Sequence, residues 1–140
     1  MSDEVRRGGI KHLSRYKQLI SYEGLKRRRN ITPTDIDGFI DYNGVSFVYM
    51  DAKLENKVLD YGQKLAYQHV VDSHSTAGHE SCAIIFRHNE PPENVIDAHS
   101  SIVSEIYYNC KWSNVSHTQK TVLQWVESWE QYCEKKGLKL

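Results

Sequence analysis

The chain has 140 residues, 39% of them hydrophobic and 26% charged, the balance of a globular domain with one real core. Basic and acidic side chains cancel at 18 each, so overall charge selects no partner. No window approaches the roughly 20 apolar residues that cross a bilayer. The opening MSDEVRRGGIKHLSRYKQ lacks the apolar core of a secretory signal, so we expect no membrane partner and a cytoplasmic location.

The neutral total hides an uneven distribution. Residues 1–29 hold nine Lys and Arg against Asp3, Glu4 and Glu23, which makes that stretch +6 and the remainder −6. Such a basic arm suits contact with phosphates. Ile10, Leu13, Tyr16, Leu19, Ile20 and Leu25 recur at helical spacing and predict an amphipathic helix over 10–27, broken near Gly24. Lys26, Arg27, Arg28 and Arg29 follow it directly and are the candidate nucleic-acid contacts.

Two strand candidates come next. DIDGFIDY alternates and VSFVYMDAKL is apolar, with Asn43-Gly44 between them as a hairpin signal. A two-residue Asn43-Gly44 loop pairs Tyr42 with Val45 and puts Asp37 and Asp51 on opposite faces. A three-residue loop, Tyr42-Asn43-Gly44, pairs Asp41 with Val45. Asp37 then lies opposite Tyr49, diagonal to Asp51 and on its face. A shared site for the two carboxylates therefore predicts the longer loop or a bulge. Residues 58–72 predict a helix with Leu59, Leu65, Ala66, Val70 and Val71 inward. SCAIIFRHN reads as a central strand and IVSEIYYNCKW as another. TQKTVLQWVESWEQYCEKKG closes as a helix, with Val122, Trp125, Val126, Trp129 and Cys133 on one face, His117 or Thr118 at its start and Gly137 at its end. We expect one domain over 1–140, with a helical arm over about 1–29, and an α/β (α+β) fold in the order α-β-β-α-β-β-α.

Chemistry concentrates on the hairpin. Two carboxylates on one strand face suit a hard divalent cation, with the Ala52 carbonyl as a third ligand. Lys53 points the same way and is placed to orient a water or to stabilise charge on a phosphate. Asp51 ends an apolar run, where a charge is costly unless paired or metal-bound.

The run from Thr34 to Asp72 resembles PD-(D/E)xK nucleases, particularly RecB-like members, on three pieces: Asp37, then Asp51-Ala52-Lys53, then Gln63-Lys64-Leu65-Ala66-Tyr67. It is also similar to small phage-encoded proteins of that superfamily. The resemblance implies a restriction-endonuclease-like mixed sheet flanked by helices. It implies a Mg²⁺- or Mn²⁺-dependent DNA nuclease in which Asp37, Asp51 and Ala52 hold the metal, with Glu23 as a further ligand. Lys53 acts on the water, and Gln63 and Tyr67 order the site. A literal Pro-Asp is absent, since Pro33 and Asp35 flank Thr34, and Asp35 competes with Asp37 as first carboxylate. A homodimer suits cleavage of two strands, and a phage origin would place the protein in the host cytoplasm. The alternative is a catalytically silent nuclease-fold module that binds DNA or a host protein. A third possibility, a zinc-stabilised domain, rests on His74, His79 and Cys82, which lack a second compact ligand pair. Cys82, Cys110 and Cys133 are odd in number and widely spaced, so reduced thiols are expected.

Overall fold

The computed structural model describes residues 20–140. The chain divides between Pro33 and Thr34 into two units. Of the predicted helix over 10–27, residues 10–19 lie outside the described part, and residues 20–27 are not helical. The described end of the first unit carries a single 3₁₀ turn, Arg28–Asn30.

In the second unit, β1 (Gly38–Tyr42) and β2 (Ser46–Leu54) form the expected hairpin. Asn43 and Gly44 both have positive φ, as a type I′ turn demands, and the Val45 amide donates to the Tyr42 carbonyl at 3.0 Å. Pairing then begins at Tyr42 with Ser46, so Val45 is an extra residue in the loop. The loop is thus Asn43-Gly44-Val45, one residue later than expected, and Phe39 rather than Asp37 faces Tyr49. A Cβ at Gly38 would meet the Met50 terminal methyl at 3.0 Å, so a larger residue there would need that flexible side chain to shift.

Helix α1 (Tyr61–Thr76) starts at Asp60, whose carboxylate accepts from the Gln63 amide at 2.8 Å. It crosses over to β3 (Glu80–His88), which runs parallel to β2. β4 (Ile102–Tyr108) and β5 (Lys111–Asn114) add antiparallel to give a five-stranded mixed sheet in chain order. The predicted strand through 102–112 is therefore two strands. Asn109 and Cys110 turn between them, both at positive φ. After a 3₁₀ turn at Ser116–Thr118, helix α2 (Val122–Lys135) is opened by Thr121 and Gln124 in a reciprocal capping box, not by His117 or Thr118. Gly137 follows its end at positive φ. The described fold is mixed α/β, with two α-helices against one sheet.

The sheet is buried on both faces, and the strands alternate between two clusters. Under α1 lie Tyr49, Leu59, Tyr67, Val71, Ala83, Ile85 and Tyr107. Under α2 lie Val48, Cys82, Ile84, Phe86, Val103 and Val122, with Trp125, Val126 and Trp129 against them. The inward face of α2 is the one expected. That of α1 is met in part: Val71 is buried, Val70 packs against the same cluster and so does Leu59 just before the helix, but Leu65 and Ala66 are only half-buried, and Tyr67, which was not expected inward, is fully buried. Ile85 is fully buried on the central strand. Ile85→Ala should cost about 2–5 kcal/mol in urea unfolding, through lost burial and the cavity it leaves.

Candidate active site

The hairpin brings the two carboxylates together. Continuing the β1–β2 pairing one residue beyond Gly38 and Met50 sets Asp37 opposite Asp51. The Ala52 amide donates to Asp37 Oδ2 at 2.8 Å, which anchors the exposed Asp37 carboxylate at the mouth of the hairpin. Asp51 is 2% exposed. Its Oδ1 accepts from the Tyr67 hydroxyl at 3.2 Å. Its Oδ2 accepts no hydrogen bond, and Lys53 Nζ stands 3.4 Å away. Burial raises the Asp51 pKa to about 6, helped by the neighbouring Asp37 carboxyl and opposed by Lys53. Two carboxylates with one shared proton or one shared cation is the arrangement this environment favours.

Helix α1 supplies the roof. Gln63 and Tyr67 stand one turn apart on the helix, as their spacing demands. Tyr67 is 1% exposed, and burial with the Asp51 charge raises its pKa, so its hydroxyl stays a donor. Gln63 Oε1 is buried without a partner. Two acceptor oxygens, Asp51 Oδ2 and Gln63 Oε1, are thus desolvated and accept no hydrogen bond; the Lys53 ammonium at 3.4 Å offsets part of that cost for Asp51. Tyr67→Phe removes the only protein hydrogen bond to Asp51 Oδ1 among the described residues and should cost about 1–3 kcal/mol in urea unfolding.

Comparisons with protein families, with curated proteins and with solved structures find no match to this chain. Its function therefore has to be read from its own geometry.

The geometry above covers only some of the expected residues. Glu23 and the run Lys26, Arg27, Arg28 and Arg29 belong to the unit ending at Pro33, and the geometry above is that of residues 34–140 alone. Among the described residues, no group of three or more His, Cys, Asp or Glu is arranged to hold a metal. The zinc grouping is separated by the sheet. Cys82 packs under α2, whereas His74 and His79 stand against Phe47 on the α1 face, at ring distances of 3.9 and 5.7 Å. Trp125 and Trp129 serve the core, as does Trp112, whose indole donates to Gln68 Oε1 at 3.1 Å.

Sequence reasoning missed Arg87. It is paired in register with Lys53 on the neighbouring strand. Its guanidinium donates to Ser104 Oγ at 3.1 Å, to Glu105 Oε1 at 2.8 Å, to the Leu54 carbonyl at 3.1 Å and to the Lys57 carbonyl. The signal was present: like Asp51, Arg87 is a charge closing an apolar strand, SCAIIF. It also missed the cross-strand stack of Phe39 on Tyr49, with ring centroids 4.9 Å apart, and the bond from Tyr49 Oη to His74 Nε2 at 2.8 Å.

Proposed function

We propose that this chain is a divalent-cation-dependent nuclease that hydrolyses phosphodiester bonds in DNA, on the PD-(D/E)xK plan. The observation that carries it is the buried Asp51 carboxylate, set across from Asp37, with one oxygen that accepts no hydrogen bond and is balanced by Lys53 at 3.4 Å. A buried carboxylate left half-satisfied is expensive, and a hard cation is the ligand that its oxygens suit.

Asp37 and Asp51 would hold Mg²⁺ or Mn²⁺, with the Ala52 carbonyl as third donor. Two carboxylates suffice because Mg²⁺ keeps several of its waters. When bound, the cation supplies charge neutralisation at the scissile phosphate and a more acidic water. Tyr67 holds Oδ1 of Asp51 and so fixes the direction of Oδ2. Lys53, 15% exposed and tied to Asp51, is placed to orient the attacking water and to meet negative charge growing on the phosphate. Gln63, one turn before Tyr67 on α1, carries a further buried carbonyl oxygen with no hydrogen-bond partner.

The test is a cleavage assay on single-stranded, duplex and branched DNA with Mg²⁺ or Mn²⁺ against EDTA. Cleavage should require the cation, and Lys53→Ala should lower it by at least about 10³-fold while the circular dichroism spectrum is unchanged. Undiminished cleavage in Lys53→Ala would sink the mechanism. A second reading, a silent module that binds DNA or a protein, is favoured by the absence of a third metal-ligating side chain beside the pair among the described residues. DNA binding without cleavage under any cation would select it.

A further inference from the structure

Beyond Lys53 the α1 face of the sheet opens into a cleft of about 630 Å³ that the hairpin chemistry does not use. One wall is the chain from Glu55 to Leu59, immediately after Lys53. The floor is Arg87 and Glu105, and Lys64 closes the helix side, next to Gln63. The cleft is built rather than incidental. At the β3–β4 pairing Ile85 faces Glu105 but Phe86 faces Val103, so Ser104 is bulged out of the ladder. Its hydroxyl donates to the Ile85 carbonyl at 3.3 Å and accepts from Arg87. Bulges of this kind redirect side chains beside functional sites.

We propose that this cleft takes one unpaired nucleotide of the DNA strand, so that the substrate is single-stranded, frayed or forked DNA rather than closed duplex. The inference rests on the nuclease reading for its placement beside the scissile phosphate. Three properties of the lining carry it. Its volume falls in the range of small-molecule pockets and suits one nucleotide, while a base-paired duplex is too wide to enter. Arg87 spends most of its donors on the protein and supplies rigidity. Lys57, by contrast, has no carboxylate within 4.0 Å among the described residues, so its ammonium is available to phosphate; the Lys64 ammonium also lacks a carboxylate and lies over the Trp112 ring, 5.6 Å from its centroid. Asn56 makes no hydrogen bond among the described residues, and Gln119 uses only its Nε2, on the Ser116 carbonyl. Side-chain amides with open donors and acceptors are the groups that read a base edge, and an unpaired base presents the edge that a duplex hides.

Asn56 and Lys57 are exposed and lie outside the strands and helices, so Asn56→Ala and Lys57→Glu should fold normally, which thermal melting checks. Fluorescence anisotropy with a labelled oligothymidylate, in EDTA, measures the cleft directly. Cleavage of a forked duplex against a covalently closed duplex circle, in Mg²⁺ and in Mn²⁺, measures its consequence. We expect oligothymidylate to bind about tenfold more weakly to Lys57→Glu and measurably more weakly to Asn56→Ala. We expect the parent to prefer the fork and both variants to lose that preference. Oligothymidylate binding unchanged in both variants, with fork and circle cut equally by the parent, overturns the inference and leaves the nuclease standing. No cleavage by the parent with either cation, but weakened oligothymidylate binding in the variants, overturns the nuclease and upholds the cleft as a site for unpaired nucleotide.

Discussion

Asp51→Asn should abolish cleavage, with a loss of about 10³-fold or more, and at the same time leave a protein that unfolds at higher urea concentration than the parent at neutral pH without metal. The two effects share one cause. The Asp51 carboxyl is buried and lies across from Asp37, and both conditions disfavour its charge, which is why its pKa rises to about 6. A shift of about two units corresponds to about 3 kcal/mol of destabilisation once the group is ionised. A neutral amide of the same shape escapes that penalty and offers Asp37 a donor where the parent sets a second negative charge. It also removes the anionic oxygen that a cation needs. Parallel urea curves and Mg²⁺-dependent cleavage rates on the two proteins check the pair of outcomes. A destabilised variant would mean that the ion pair with Lys53 outweighs the cost of burying the charge, and retained cleavage would remove Asp51 from the metal site.

The hairpin was legible because Asn43-Gly44 is a local signal, and turn chemistry acts within four residues. Its register was legible only as a choice between faces. Where the extra residue sits depends on how Val45 leaves the turn, and two residues of sequence shift do not change which face is buried. Asp37 and Asp51 share a face by either three-residue solution, so the site survived an error that moved Asp37 from opposite Tyr49 to opposite Asp51. The break at Asn109-Cys110 was only half legible, since Asn tolerates positive φ but a lone Asn inside an apolar run is a weak signal. Cysteine has no preference for positive φ, and the pattern IVSEIYYNCKW runs on without Gly or Pro.

Part of the inward face of α1 misled for a different reason. Counting apolar residues chose Leu65 and Ala66, whereas the helix buries Tyr67 and directs the polar Gln63 Oε1 inward as well. Polar groups on a buried face contradict hydrophobic patterning, and such contradictions concentrate at functional sites. The Gln63–Tyr67 pair was found through its resemblance to a nuclease helix, not through periodicity. Arg87 and the Ser104 bulge, which shape the adjoining cleft, come from strands whose pairing no local signal specifies.

Stability against pH provides a readout of the site that needs no substrate. The folded pKa of Asp51, about 6, stands above its ordinary value of 3.8. Between those values the folded chain holds a proton that the unfolded chain has lost. The contribution of Asp51 is therefore most favourable below pH 4, declines as pH rises from about 4 to about 6, and is flat above, by about 3 kcal/mol in total. A divalent cation held by Asp37 and Asp51 stabilises the ionised form, so it should offset that decline. The melting temperature in Mg²⁺ minus that in EDTA should be near zero at pH 4.5 and should open with a midpoint near pH 6. In Asp51→Asn the difference should vanish at every pH. Cleavage by the parent should follow the same rise, because the carboxylate must be ionised to hold the cation. A Mg²⁺ effect that is independent of pH, or that persists in Asp51→Asn, would place the cation elsewhere and remove Asp51 from the chemistry.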